Sequence, residues 1–149
     1  MLKERNFFKM FDIEPIFNIN QKYLQKKYHQ MSKIYHPDLQ KSETKFQELQ
    51  NAYNTLKNDY NRAVYLKQLE KGKFESHVNE KFLNKILTME EHIENTDASK
   101  LDEVARNINK KIEKCKKKYH NEEKLSQWRY YQRLSDLISK KQEAEELKE

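Results

Sequence analysis

Glycine, proline and cysteine are nearly missing from this chain: its 149 residues hold one Gly, two Pro and one Cys. Sheets and tight turns use Gly and Pro as punctuation, so a β-rich fold is excluded. A single cysteine, Cys115, excludes an internal disulfide and any CxxC metal knuckle. His77, His92 and His120 show no HxxxH spacing, so no metal and no cofactor is expected. No apolar run approaches the ~20 residues that span a bilayer, and no membrane association is expected. The start, from Met1 to Phe8, has no secretory apolar core and no Arg/Ser-rich presequence. Targeting is therefore expected to be cryptic, or the protein to act where it is made. There is no Gly-rich phosphate loop, no Ser/His/Asp order and no carboxylate pair that stands out from the charge background, so the chain is not expected to be an enzyme.

Charge is what the sequence does have. Charged residues make up 36% and hydrophobic residues 36%, the balance of long, solvent-washed helices with narrow apolar stripes. Nine Tyr, seven Phe and one Trp argue against disorder, which is poor in aromatics. The net charge is +6, and the excess lies in the first half, where residues 1–72 carry 13 Lys/Arg against 8 Asp/Glu. Such a field suits an acidic protein, nucleic acid or an anionic surface, and its sign alone leaves all three open.

Apolar residues recur at helical spacing almost throughout. The pattern predicts a short helix over 4–11, ended before Pro15. A second helix runs over 21–35 with Asn20 as N-cap, stopped because Pro37 drives His36 out of the α region. A third covers 43–57, with Phe46, Leu49, Tyr53 and Leu56 on one side and Thr44-x-x-Gln47 as a capping box. A fourth covers 60–70, with Gly72 as its C-cap. Helices over 79–94, 98–119 and 122–147, turned by Asn95-Thr96-Asp97 and His120-Asn121, predict an antiparallel three-helix bundle. The expected fold is all-α, with a division between residues 1–72 and 73–149.

The second helix has two faces. Lys22, Lys26, His29 and Lys33 fall within about 60° at about 100° per residue, while Leu24, Tyr28, Met31 and Tyr35 lie opposite. No acidic residue occurs between Glu14 and Asp38, so the basic stripe lacks the i,i+4 partners of an ordinary solvated face. It leads directly into His36-Pro37-Asp38, which could also serve as a plain turn in which Pro sets φ and Asp caps the next helix.

Here the sequence resembles the J-domain family. His36-Pro37-Asp38 between a basic helix and its antiparallel partner matches that family's signature. Phe7-Phe8-Lys9-Met10-Phe11 upstream and Leu49-x-Asn51-Ala52-Tyr53-x-Thr55-Leu56 downstream resemble its flanking motifs. Asp12 stands at a position that is usually glycine in the family. The resemblance implies that the His36-Pro37-Asp38 loop docks at the junction between the nucleotide and substrate domains of a DnaK-type ATPase chaperone. Lys22, Lys26 and Lys33 would then meet acidic surface on that partner. The outcome would be faster ATP hydrolysis by the partner, a population shift to which this chain contributes no catalytic group.

In the second half, Phe82, Ile86, Met89 and Ile93 share the side expected to face the core, and Leu83 and Leu87 lie together about 100° away. Such a pair can widen the core, pack against the first half or await a partner, and on this helix alone extra core is the simpler reading. Tyr130 stands about 100° from the centre of the Trp128/Tyr131/Leu134/Ile138 stripe. Phe82-Leu83-x-x-x-Leu87-x-Met89-x-Glu91, Trp128-Arg129-Tyr130-Tyr131 and the junction Arg62-Ala63-x-Tyr65-Leu66 resemble the HscB family, the J-proteins of iron–sulfur cluster biogenesis. That resemblance implies a J-domain at 1–72 and a scaffold-binding three-helix domain at 73–149. It also implies an IscU-type iron–sulfur scaffold bound at Leu83, Leu87 and Tyr130, with Glu91 as a nearby acidic contact. It implies action in the mitochondrial matrix or a mitochondrion-derived mitosome for a eukaryotic member, or in the bacterial cytoplasm otherwise.

Two rival readings remain: a J-protein serving a different client, and a basic helical nucleic-acid-binding protein. Lys110, Lys111, Lys114, Lys117 and Lys118 could serve the latter through phosphate contacts. The acidic residues around them favour a solvated outer face, and no nucleic-acid partner is expected.

Overall fold

The computed structural model describes residues 6–36, 38 and 43–148, and every regular element among them is helical. The elements are α1 (Phe7–Met10), α2 (Gln21–Tyr35), α3 (Thr44–Lys57), α4 (Asp59–Lys71), α5 (Glu80–Glu94), α6 (Asp102–Lys117) and α7 (Glu122–Glu146), with a 3-10 turn over Ala98–Lys100. The chain divides into two compact units, Met1–Phe74 and Glu75–Glu149.

Asparagine starts most of these helices. Asn6, Asn20, Asn58, Asn79 and Asn121 each sit at an N-cap, and each side-chain oxygen accepts a backbone N–H from the first turn. An Asn cap satisfies a donor that the helix itself leaves orphaned. The capping box expected at Thr44-x-x-Gln47 does not form. Thr44 is already the first helical residue, and Glu43 occupies the cap position in an αR conformation without a side-chain cap bond. The expected 98–119 helix is also broken. Leu101 is fully buried, and the 3-10 turn that delivers it inward interrupts the α register before Asp102.

In the first unit α2 and α3 form an antiparallel hairpin. Its register is read from three contacts: Gln21 Nε2 donates to the Lys57 carbonyl, the Tyr28 and Tyr53 rings stack at 4.0 Å, and the His36 ring stands 5.7 Å from Phe46. Phe8, Phe11, Leu24, Leu49, Ala52 and Leu56 form the core, flanked by Tyr28, Met31 and Tyr35 from the apolar face of α2. Each such fully buried large side chain is worth about 1.5–3 kcal/mol. The helix α1 is tied down by Tyr65, whose ring stacks on Phe7 at 4.6 Å and whose hydroxyl accepts the Phe7 N–H at 2.9 Å.

Two residues with left-handed φ end helices here. Gly72 ends α4 at φ 85°, with nothing within 4 Å of an added Cβ, so the backbone conformation rather than space calls for glycine. Asp12 has φ 56°. Its N–H bonds to the Lys9 carbonyl and the next N–H, of Ile13, bonds to Phe8, the pairing of a Schellman end. Arg62 is 3% exposed and clamps the segment after α1 to the α3–α4 corner. Its Nε donates to the Phe17 carbonyl (2.7 Å), Nη1 to the Leu56 carbonyl (2.7 Å) and Nη2 to Asp59 (2.8 Å).

The second unit is a three-helix bundle in which α6 and α7 make the most extensive contact. Phe82 meets Tyr130 and Tyr131 edge-on at 5.9 and 5.5 Å, and Lys141 meets the end of α5, so α5 and α7 run in the same direction. Lys141 Nζ donates to the carbonyls of Ile93, Glu94 and Thr96 at 3.0, 2.8 and 2.6 Å. This sets a cation against carbonyls at the negative end of α5 and in the turn that follows it.

Candidate functional surfaces

Two surfaces stand out, one in each unit. On the first, the stop of α2 leaves His36 and Asp38 at the turn of the hairpin. Both side chains are exposed, 51% for His36 and 88% for Asp38. The Asp38 N–H donates to His36 Nδ1 at 3.2 Å, and the carboxylate lies 3.5 Å from the same nitrogen. His36 leaves the helix at φ −57°, ψ 137°, the extended conformation that a following proline imposes. Pro37 lies outside the described residues. Lys22, Lys26, His29 and Lys33 are all exposed along α2. Among the described residues no carboxylate pairs with Lys22, Lys26 or Lys33. The α2 ion pair present is Lys27 to Asp12 at 3.9 Å, on a neighbouring flank. The hairpin therefore presents a cationic stripe leading to an exposed imidazole and carboxylate.

The second surface runs along α5 and α7. Phe82, Ile86 and Ile93 are buried as the periodicity predicts, but Leu83 and Leu87 are 37% and 58% exposed. They do not widen the core within this unit. Glu90 falls about 20° from Leu83 on the α5 wheel and holds Arg133 of α7 at 3.5 Å. The Arg133 guanidinium in turn lies 5.6 Å over the half-buried Tyr130 ring. That chain of contacts puts Leu83, Leu87, Tyr130 and Arg133 on one side of the bundle. Glu91 is exposed at the far edge of the flank, about 40° beyond Leu87. Arg133 and Glu90 were not singled out in the sequence. Their opposite charges carry no periodic signal, and only the α5–α7 packing joins them.

Among the described residues no three His, Cys, Asp or Glu side chains are placed to hold a metal ion, and no helix is long and apolar enough to cross a membrane. Cys115 is buried, and burial raises its thiol above the ordinary value, so it is a poor nucleophile.

Known proteins are similar to this chain in sequence and in architecture. Residues 6–65 match the family model of the DnaJ domain. The co-chaperone protein HscB of Buchnera aphidicola subsp. Acyrthosiphon pisum (strain Tuc7) is 28% identical, over 91% of this chain and 94% of its own length. The crystal structure of human co-chaperone protein HscB superposes with a TM-score of 0.72 at 20% identity, covering 90% of this chain and 80% of that one. Chaperone HscB from Vibrio cholerae superposes with a TM-score of 0.69 at 18% identity, covering 91% and 96%. At these identities the two structural likenesses establish a common fold. The curated relative covers both units, not the DnaJ domain alone.

Proposed function

Because the chain belongs to the HscB type of J-domain co-chaperones, we propose that it couples two partners, one at each surface. The hairpin tip engages a DnaK-type ATPase chaperone through His36, Pro37 and Asp38, with Lys22, Lys26 and Lys33 against an acidic patch on that ATPase. The α5–α7 flank engages an IscU-type iron–sulfur scaffold through Leu83, Leu87 and Tyr130, with Glu91 at its edge. The ATPase performs the hydrolysis, and this chain supplies position and a shift in its conformational population. One observation carries the reading: the cationic stripe, without a carboxylate partner for Lys22, Lys26 or Lys33 among the described residues, ends at a turn whose imidazole and carboxylate both face solvent.

The physical division of labour follows from the residue types. Unpaired surface lysines raise the association rate toward an acidic partner and make it salt-dependent. Exposed leucines beside a tyrosine supply the apolar anchor of a client contact, where truncating one anchor costs about 2 kcal/mol, not additively. The bacterial relative supports the bacterial cytoplasm as the place of action over the mitochondrial matrix or mitosome.

The test is single-turnover ATP hydrolysis by a DnaK-type chaperone with this chain and an IscU-type scaffold. Wild-type chain accelerates hydrolysis, and scaffold increases the effect. His36→Gln abolishes stimulation with or without scaffold. Leu83→Ala/Leu87→Ala/Tyr130→Ala abolishes the scaffold's contribution and scaffold binding while keeping the basal stimulation. Stimulation that survives His36→Gln removes the docking mechanism. Scaffold binding that survives the triple substitution removes the client site.

A further inference from the structure

The α5–α7 flank carries an ion pair that contributes little to the fold. Arg133 Nη2 lies 3.5 Å from Glu90 Oε2, with the arginine side chain 59% exposed and the glutamate 32%. One long contact in water between two flexible side chains is a weak source of stability. What the pair does fix is the place of a ring. The same guanidinium stands 5.6 Å over Tyr130, three residues back on α7. The buried Phe82 of α5 meets that ring as well, at 5.9 Å and an interplanar angle of 80°. Tyr130 is thus held from α5 twice, directly by Phe82 and through Arg133 by Glu90.

Holding that ring matters because of where it comes from. Leu83 and Leu87 stand on one helix, four residues apart, so the α5 backbone alone sets their spacing. Tyr130 stands on α7, and its place relative to the two leucines depends on side-chain contacts between the helices. The ring is half-buried, so its outer part reaches solvent. A side chain free to turn about χ1 gives up that freedom when a partner binds, and a ring already fixed does not. The edge-on contact with Phe82 and the cation over the ring both restrict it. Glu90 in turn biases Arg133 toward the rotamers that lie over Tyr130, where an unanchored surface arginine would sample many others.

We propose that Glu90 and Arg133 are positioning residues for the client contact: as a clasp between α5 and α7 they set the Tyr130 ring in its binding pose before the partner arrives. The inference rests on the reading of this flank as the scaffold-binding surface. It adds two charged residues that act through Tyr130 and not on the partner itself. The rival role for Arg133 is a direct ion pair with a carboxylate of the scaffold. The geometry favours the indirect role, because the guanidinium already has an anion and a ring as neighbours, and a new carboxylate would have to compete with Glu90 for it.

The experiment is calorimetric titration of the full chain with a purified IscU-type scaffold, paired with NMR measurement of the Tyr130 χ1 couplings in the free chain. The wild-type chain should bind, with Tyr130 in one dominant rotamer. Arg133→Met and Glu90→Gln should each weaken binding about three- to tenfold, the scale of ordering one side chain, and each should average the Tyr130 rotamers. Combining them should cost no more than the larger single loss, because the two residues act as one unit. Melting temperatures should stay within about 2 °C of wild type, so the losses are not losses of fold. In a Tyr130→Ala background, Arg133→Met should weaken binding no further. An Arg133→Met loss that persists in full without the ring overturns the proposal in favour of a direct contact with the scaffold. A Tyr130 rotamer unchanged by Arg133→Met overturns it too. Binding that is lost in Leu83→Ala/Leu87→Ala/Tyr130→Ala but indifferent to Arg133→Met and Glu90→Gln overturns this proposal alone. A wild-type chain that binds no scaffold overturns the client reading and this proposal with it.

Discussion

The Asp38 backbone N–H donates to His36 Nδ1, so the imidazole and the carboxylate two residues on are held together at the tip of the α2–α3 hairpin. Among the described residues the other ring nitrogen, Nε2, makes no hydrogen bond and so remains available to a partner. Both side chains are exposed, and the His36 ring lies 5.7 Å from that of Phe46. His36→Gln should therefore change unfolding free energy by no more than about 0.5 kcal/mol while removing ATPase stimulation. Urea denaturation paired with the hydrolysis assay separates the two effects. A large loss of stability would mean the imidazole is a structural group.

Asp12 occupies a left-handed conformation at the end of α1. Any residue with a Cβ pays for that conformation, although Asp tolerates it better than most. Asp12→Gly relieves the strain but gains backbone entropy in the unfolded chain and gives up the long 3.9 Å contact with Lys27. The net expectation is a stabilisation of up to about 1 kcal/mol. Asp12→Val should destabilise, because a β-branched side chain fits this region worst. Equilibrium denaturation of both variants checks the ordering.

Lys141 closes the C-terminal end of α5 with one ammonium and three carbonyls. Lys141→Met keeps most of the aliphatic stem and removes the charge and all three bonds. The expected cost is about 1–3 kcal/mol, toward the lower end where water reaches the freed carbonyls. Amide hydrogen exchange should locate the loss in the last turn of α5. Unchanged protection there would show that the lysine does not cap the helix.

Alkaline pH should loosen the second unit. Burial raises the Cys115 thiol and the Tyr131 phenol above their ordinary values of 9.0 and 10.0. For a raised acid the sign is definite. The unfolded chain releases its proton first, so stability is constant below the unfolded pKa and falls as pH rises toward the folded one. A decline should therefore begin near pH 9 and steepen near pH 10. Cys115→Ala should remove its earlier part, at the cost of a small cavity. Denaturation midpoints measured between neutral pH and the tyrosine range test this. A flat profile through that range would contradict the assigned burial.

How much of this could be read in advance varied with the kind of signal. The turn after α2 was legible because Pro37 acts on its neighbour's backbone, and Gly72 because it alone lacks a Cβ. Among the asparagine caps only Asn20 was legible in this way, and those at Asn58, Asn79 and Asn121 emerge from the structure. The break at Leu101 was not legible, because a 3-10 turn differs from an α turn only in where it delivers a side chain. The exposure of Leu83 and Leu87 was not legible either. Periodicity assigns a residue to a flank, but only neighbouring helices decide whether that flank is covered.

The sequence by itself determined the helical class, the helix ends at His36 and Gly72 and the two-faced character of α2, because these arise from interactions within a few residues along the chain. The tertiary structure decided which apolar flank stays open, which carboxylate reaches Arg133 and that Asp12 must turn left-handed. Those outcomes depend on how separate helices register against one another, and that register is set by the fit of buried side chains such as Phe82, Leu101 and Trp128 rather than by the spacing of residues within any one helix.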